Sequence, residues 1–357
     1  MNTIFEYMQK YDYENLFLCQ DKALDFKAII AIHDTTLGPA TGGCRLWDQY
    51  ASEWDAIEDA LRLARGMTYK YAAAGVNLGG GKAVIIGDPK RKDREPVFRA
   101  LGKFINRLGG KYYTGEDVGT NLKDMEYIRM ETEYVVTLPT YLGGAGDISP
   151  RTAFGTIRAM QACCNRIYGS DNLMGKRVAV QGLGAVGHNI VAQLDALGAK
   201  LVVTDIDPSK VETAAVKYKI EAVDPGAIYD VACDIFCPCA LGKVINDDTL
   251  SRLKCKIICG SANNQLAEER HGELLEQNGL LYAPDYIANA GGTIYDTDRL
   301  AAGGVSHKRG KEKVSRIYEN MIRVFEFADR EKIPTYRAAD RMAEERIKQI
   351  AEVNKLD

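Results

Sequence analysis

Apolar positions along the chain follow two regimes, and the change falls near residue 177. Before it, Trp54, Ile57, Leu61 and Ala64 recur three or four residues apart. That spacing predicts an amphipathic helix over 54–74. Met67, Thr68, Tyr69 and Lys70 sit toward its C-terminal end, ahead of a loop of three glycines and a short apolar strand at 83–86. Gly87-Asp88-Pro89 reads as a turn, 96–108 as a second helix, 111–114 as a strand and 121–131 as a third helix. Ser149-Pro150 supplies an N-cap and a proline at the first helical position, opening a helix that runs to about 168. Beyond 177, short apolar strands at 178–181, 201–204, 235–236, 257–258 and 280–282 alternate with helical stretches. Such alternation predicts a parallel sheet of the doubly wound type. Two charged helices, 308–332 and 336–352, close the chain.

Between the regimes lies Leu142-Gly143-Gly144-Ala145-Gly146-Asp147, rich in glycine and poor in large side chains. It reads as a hinge. The expectation is therefore an α/β protein of two domains with an active-site cleft between them. Residues 1–145 form an N-terminal α/β substrate domain and 146–335 a Rossmann-type nucleotide domain. The C-terminal helix, 336–357, is expected to pack back toward the first domain. At 357 residues the chain is long enough for two cores.

Gly182-Leu183-Gly184-Ala185-Val186-Gly187 fits the GxGxxG pattern, and its context gives the pattern weight. It follows a predicted strand, opens a helix over 188–197, and precedes Asp205 at the end of the next strand. This is the dinucleotide-binding arrangement. Gly182 would allow the tight turn, Gly184 the approach of a pyrophosphate, and Gly187 close packing of helix on strand. Asp205 would bind the adenine-ribose hydroxyls and repel a 2′-phosphate, favouring NAD over NADP. Asp207 is the rival for that role but reads better as the cap of the helix after Pro208.

Charge and cysteine content remove other classes. Lys and Arg number 46 against 49 Asp and Glu, a net charge of −3, so no basic field points to nucleic acid. No apolar run is long enough to cross a bilayer, and Met1-Asn2-Thr3-Ile4-Phe5-Glu6 lacks the features of a signal peptide. The nine cysteines are scattered, with Cys163-Cys164, Cys255 and Cys259 in or beside apolar runs, which suits reduced thiols in a cytoplasmic protein. Cys237-Pro238-Cys239 has no second pair or nearby histidine to complete a zinc site, so no metal is expected.

The four histidines, His33, His188, His271 and His307, sit in no reactive motif. The remaining chemistry rests on lysine. Gly79-Gly80-Gly81 strips side chains from the backbone before Lys82, and an apolar strand follows. A lysine held away from water gives up its proton more readily and can serve as a base. A solvated lysine in a surface turn is the other reading of the same residues. Lys70 and Lys82 flank the glycines, and Asp117 lies in a second glycine-bordered loop. Two ammonium groups in one place suggest an anionic substrate such as a carboxylate, although a helix-end lysine like Lys70 also gains from the helix dipole.

The segment from Gly79 to Pro89 resembles the active-site segment of the leucine/phenylalanine/valine dehydrogenases, within the Glu/Leu/Phe/Val dehydrogenase family. Gly66-Met67-Thr68-Tyr69-Lys70, Thr114-Gly115-Glu116-Asp117-Val118-Gly119, Gly260-Ser261-Ala262-Asn263-Asn264-Gln265-Leu266 and Tyr282-Ala283-Pro284-Asp285-Tyr286 extend the resemblance along almost the whole chain. It implies NAD-dependent, reversible oxidative deamination of an L-amino acid, branched-chain or aromatic, to the 2-oxo acid and ammonia. It makes Lys82 the base that activates water and Asp117 the group that assists proton transfer at nitrogen. It gives the substrate carboxylate to Lys70, with Met67 and the backbone near Gly42 beside it, and has Asn263 orient substrate and nicotinamide. Cofactor contacts fall to Thr152, Leu183, Ala185, Val186, Cys239 and Ala240 as well as to the glycines and Asp205. It also implies a homo-oligomer. A neutral lysine can take the proton of water and an ionised one cannot, which predicts an alkaline optimum for deamination.

The resemblance places the substrate side chain against Thr41, Gly115, Thr293 and Asp296, positions mostly aliphatic in leucine-type members. Here Thr41 and Thr293 are polar, Asp296 is acidic, and Gly115 leaves extra room. Asp296 points away, or is the N-cap of the next helix, or else meets a polar or cationic substrate end. The alternatives to the leading assignment are thus the same chemistry on a polar or basic amino acid, and a non-catalytic NAD-binding protein on the same fold. Glutamate would need a further cation for its second carboxylate.

Overall fold

The structure, a computed structural model, describes residues 3–356. The chain divides into two compact units at Gly146/Asp147, inside the glycine-rich segment. The second unit takes 147–295 and 307–342, while 296–306 and the residues from 343 on belong with the first. The expected 146–335 stretch is therefore interrupted at 296–306.

The first unit is built on β1 (Asn15–Asp21), β2 (Phe26–Asp34), β3 (Ala40–Trp47), β4 (Gly79–Ile86) and β5 (Tyr112–Glu116), in the order β1-β2-β4-β3-β5. β1, β2 and β4 pair antiparallel, whereas β4, β3 and β5 run parallel. The helix Glu53–Ala73 covers one face, setting Ala56, Ile57, Ala60, Leu61 and Ala64 against Ile29, Ala31 and Val84. The helices Arg94–Arg107 and Leu122–Arg129 cover the other, with Val97, Phe98, Leu101, Ile105, Met125 and Ile128 against Ile30, Ile32 and Ile85. With both faces buried, β2 shows no alternation of apolar and polar residues and escapes a search for period two.

The three glycines are not a loop. They begin β4, and the space their missing side chains would fill is taken by the protein itself. A Cβ on Gly80 would lie 2.1 Å from Thr68 Oγ1 and 2.3 Å from Thr68 N, and one on Gly81 would lie 2.6 Å from the Tyr112 ring. The glycines let the helix Glu53–Ala73 and Tyr112 close onto the sheet, so protein rather than ligand fills the space they leave.

The second unit holds β6 (Arg177–Gln181), β7 (Lys200–Thr204), β8 (Ile220–Ala222), β9 (Ile235–Pro238), β10 (Ile257–Ile258) and β11 (Leu281–Tyr282). Their order is β11-β10-β9-β6-β7-β8, and every neighbouring pair is parallel. From β6 the chain winds outward through β7 and β8, then returns to β6 on its other side with β9. Ligands of such sheets bind at the carboxyl ends of the strands where the order reverses, here the ends of β6 and β9. The helix Ser149–Tyr168 starts one residue earlier than its sequence suggests: Ser149 N donates to Asp147 Oδ1 at 2.9 Å. No helix of the described residues is long and apolar enough to cross a membrane.

The last helix, Thr335–Val353, carries its later residues into the first unit. There Arg346 donates to the carbonyls of Ala72 and Val76 at 3.3 and 3.0 Å, and Tyr69 donates to Glu344 at 2.7 Å. These bonds fix the C-terminal end of the helix Glu53–Ala73, where Lys70 sits.

Candidate active site

Side chains alternate across a sheet, and register decides which meet. Thr41 lies beside Gly80 and Cys44 beside Ala83, so Gly43 lies beside Lys82; Gly43 in turn pairs with Gly115. Lys82, Gly43 and Gly115 thus form one row across β4, β3 and β5, on the face covered by the helix Glu53–Ala73. The Lys82 side chain is 5% exposed and makes a 2.7 Å ion pair with Asp117. A buried ammonium needs such a partner. Asp117 reaches it by lying over Gly43, where a Cβ would come within 2.8 Å of the Asp117 Cβ.

Arg45, on β3, donates to Asp117 at 3.0 Å and to Asp59 at 2.7 Å, and Tyr50 donates to Asp59 at 2.7 Å. Burial pushes the Asp117 carboxyl up, but Lys82 and Arg45 outweigh it and bring it down to about 2. The loop after β5 is pinned as well: Asp117 N donates to Thr120 Oγ1, and Thr120 donates to the Cys44 carbonyl, both at 2.9 Å. Gly119, at φ +79°, takes a left-handed conformation with no room for a Cβ.

The other expected residues of this unit gather around the same strands. Lys70 lies half-buried in the last turn of its helix. Met67 Cγ would stand 3.2 Å from a Cβ on Gly42, whose carbonyl accepts from Tyr112 at 2.7 Å. Thr41 is fully buried, with its hydroxyl toward the Pro39 carbonyl at 3.4 Å. At Gly115 a Cβ would meet Thr137 Oγ1 at 2.5 Å, and Thr137 donates to Asp296 Oδ2 at 2.5 Å.

Asp296 is 4% exposed and ends the helix Gly291–Asp296. It makes no side-chain cap to the turn that follows, which removes the helix-cap reading. Its Oδ1 is buried without a hydrogen-bond partner among the described residues. Burial raises the carboxyl to about 6, with Thr137 and Arg299 opposing. Thr293 precedes it on the same helix and falls within the second unit.

In the second unit the glycines of the β6 turn divide the work that their positions suggest. Gly182, at φ +98°, makes the turn, and Ala240 lies within 2.9 Å of where its Cβ would be. A Cβ on Gly187 would overlap the Gly182 carbonyl at 2.0 Å, so the helix Ala185–Ala196 rests directly on the turn. A Cβ on Gly184 would meet nothing within 4 Å. That open space lies before the free amides of a helix N-terminus carrying no acidic residue in its first turn, which fits a pyrophosphate.

Cys239, just past β9, donates its amide to the Gln181 carbonyl at 2.7 Å. Asp205 accepts from Leu183 N at 2.6 Å and Asp207 N at 2.9 Å, with Lys210 at 3.5 Å. Burial pushes this carboxyl up and the two amides, with Lys210, bring it below its ordinary value. Each oxygen retains a lone pair for a ribose hydroxyl. Asp207 caps the helix Pro208–Lys217, accepting from Ser209 N at 3.1 Å. Thr152 lies on the helix Ser149–Tyr168, with its hydroxyl 2.3 Å from where a Cβ on Gly292 would be. Asn263 accepts from Asn289 Nδ2 at 2.6 Å.

Family comparison agrees with this geometry. Residues 18–134 match the model for the Glu/Leu/Phe/Val dehydrogenase dimerisation domain, and 143–207 and 203–354 match that for Glutamate/Leucine/Phenylalanine/Valine dehydrogenase. The chain belongs to the Glu/Leu/Phe/Val dehydrogenase family. It is an amino-acid dehydrogenase, an oxidoreductase of a nicotinamide-dependent family. The chain is 57% identical to leucine dehydrogenase of Thermoactinomyces intermedius over 96% of this chain and 93% of that one. It is 44% identical to phenylalanine dehydrogenase of the same organism over all of this chain and 97% of that one. Among solved structures, L-tryptophan dehydrogenase from Nostoc punctiforme superposes with a TM-score of 0.85 at 40% identity, covering 98% of this chain and 100% of that one.

Arg45, Asp59, Thr137 and Asn289 were not anticipated. Arg45 carries a signal in hindsight, a charge between buried Cys44 and Leu46. Thr137 carries none, because its meaning comes from Gly115 and Asp296. His33 is structural: it is buried, with Thr68 Oγ1 at 2.8 Å and the Tyr11 carbonyl at 3.0 Å.

Proposed function

We propose that this dehydrogenase uses NAD to deaminate, reversibly, a branched-chain or aromatic L-amino acid, with Lys82 as the base and Asp117 as its proton-handling partner. The buried Lys82–Asp117 pair, 2.7 Å apart on the glycine row, carries the reading. When bound, NAD supplies the hydride acceptor. Lys70 holds the substrate carboxylate, with Met67 and the Gly42 backbone beside it, and Asn263, held by Asn289, orients the reacting groups. Lys82, once neutral, removes a proton from the water that adds to the imine carbon. Asp117 is ionised at neutral pH and takes the proton at nitrogen, then returns it as ammonia leaves.

Cofactor binding falls to the Gly182–Gly187 turn, Asp205, Thr152, Cys239 and Ala240, with Asp205 setting the preference for NAD against the partial opposition of Lys210. The match of residues 18–134 to a dimerisation domain supports a homo-oligomer, and nine free thiols suit a reducing cytoplasm. The test is Lys82→Ala. Turnover should fall by about 10²–10⁴-fold while NAD binding stays intact; retention of more than about a tenth of the activity excludes Lys82 as the base.

A further inference from the structure

Seven of the nine cysteines, all but Cys19 and Cys44, belong to the second unit, and the proposed reaction uses none of their sulfurs. Cys237 and Cys239 are a pair among them, with sulfurs 3.4 Å apart. Residues two apart on a strand have Cα atoms about 6.6 Å apart, within the range of about 4.4–6.8 Å that a disulfide bridges. A disulfide bond is about 2.05 Å long, so the two sulfurs have about 1.4 Å left to close. The two thiols differ in access. Cys237 is buried inside β9, whereas Cys239 lies just past the strand and is half-buried. They differ in acidity as well. A hydrogen bond from Cys237 and others from Ser261 bring the Cys239 thiol below its ordinary value against the effect of burial, which pushes Cys237 up. The thiolate is the reactive form, so Cys239 is the sulfur that attacks and Cys237 the one that keeps its proton. Cys239 also sits at the glycine turn. Its amide donates to the Gln181 carbonyl at 2.7 Å, and its Cβ lies 3.3 Å from where a Cβ on Gly187 would be. The next residue, Ala240, packs within 2.9 Å of the same position on Gly182. Movement of Cys239 toward Cys237 therefore draws this segment off both glycines.

We propose that Cys239 is a modification site, oxidised by a peroxide and resolved by Cys237 into a reversible disulfide that closes the dinucleotide site. The proposal rests on the reading of the Gly182–Gly187 turn as that site. In the first step the Cys239 thiolate attacks one peroxide oxygen. The S–O bond forms, the O–O bond breaks, and hydroxide leaves and is protonated to water. In the second step the Cys237 sulfur attacks the sulfenic sulfur of Cys239. The S–S bond forms, the S–O bond breaks, and the departing hydroxide takes the Cys237 proton. Two thiols lose two electrons and two protons, and one peroxide becomes two waters. A bridge near the limit of the reachable span is strained and yields readily to a dithiol, which makes the modification reversible.

The experiment treats the full chain with hydrogen peroxide, with and without saturating NAD. It reads activity, NAD affinity by fluorescence titration, and peptide masses assigned by fragmentation, before and after dithiothreitol. The treated wild type should carry a Cys237–Cys239 link, lighter by two hydrogens. It should bind NAD more weakly by about tenfold or more, the equivalent of one lost hydrogen bond, and dithiothreitol should restore it. Bound NAD should slow the oxidation. Cys237→Ala should keep its basal activity but, under peroxide, collect sulfinic acid at Cys239 that dithiothreitol does not reverse. Cys233 and Cys255 form a second hydrogen-bonded pair before the starts of β9 and β10, and Cys233→Ala should respond as the wild type does. A link formed elsewhere, undiminished NAD affinity in the linked protein, or a Cys237→Ala enzyme that recovers with dithiothreitol as the wild type does overturns the proposal. The wild-type link and its effect on NAD decide the matter even if a variant does not fold. Failure of the underlying reading looks different: Gly184→Ala would bind NAD as tightly as the untreated wild type, whatever the state of the thiols.

Discussion

Two carboxylates on one face of the sheet behave in opposite ways because their partners differ. Asp117 faces Lys82 and Arg45 and is held down at about 2, so its contribution to stability is present above about pH 4 and is lost as pH falls toward 2. Asp296 accepts a hydrogen bond from Thr137, has no ion pair among the described residues, and is raised by burial to about 6. The folded protein therefore favours its protonated form, and stability relative to an uncharged replacement declines as pH rises from about 4 to 6 and stays lower above. The rise of about two units corresponds to roughly 3 kcal/mol at full ionisation. Asp296→Asn should remove that decline, and melting temperatures of both proteins between pH 4 and 7.5 measure it. Parallel curves would mean that Asp296 is solvated in the native state. Asp205 offers a separate test. Asp205→Ala should narrow the preference for NAD over NADP, read as the ratio of specificity constants; an unaltered ratio would move the discrimination to another residue.

Glycines serve the elements in two distinct ways, and two alanine substitutions separate them. Gly80 sits where the helix Glu53–Ala73 touches β4, with the backbone nitrogen of Thr68 2.3 Å from any Cβ placed there. Neither element can yield without disturbing the sheet face that holds Lys82. Gly80→Ala should therefore cost on the order of 2–4 kcal/mol, within the upper range for overpacked cores, and denaturant unfolding measures it. Gly184 has a negative φ and open space around its Cβ position. Gly184→Ala should leave stability within about 0.5 kcal/mol yet weaken NAD, seen by titration of cofactor fluorescence. Unchanged affinity would place the pyrophosphate elsewhere. In the sequence the two glycines look alike. Gly184 was readable because a strand, a helix and a distant acid frame it, whereas the packing role of Gly80 depends on Thr68, twelve residues earlier on a helix.

At the scale of the whole molecule, the chain does not finish one unit before starting the other. Residues 296–306 and those from 343 on return to the first unit, and Arg346 there binds the Ala72 and Val76 carbonyls at the end of the helix that bears Lys70. Arg346→Ala would leave the Val76 carbonyl short of a donor at about 1–3 kcal/mol, whereas the Ala72 carbonyl keeps the Gly75 amide. Calorimetry should show a lowered melting temperature, and the Michaelis constant for the amino acid should rise as Lys70 loosens; a change in neither would mean that water replaces the guanidinium.

By itself the sequence determined the doubly wound sheet, the glycine turn with its acid, and a lysine beside a triple glycine that proves to be buried. Each rests on residues close together in the chain or on a period set by the backbone. Tertiary structure alone decided the rest. It gave the first three strands, of which β2, buried on both faces, shows no alternation. It made the triple glycine a packing device by bringing a helix against it. It also put Asp296 beside Thr137, 159 residues away in sequence, because only register across β4, β3 and β5 converts two glycines and a threonine into the surroundings of a buried carboxylate.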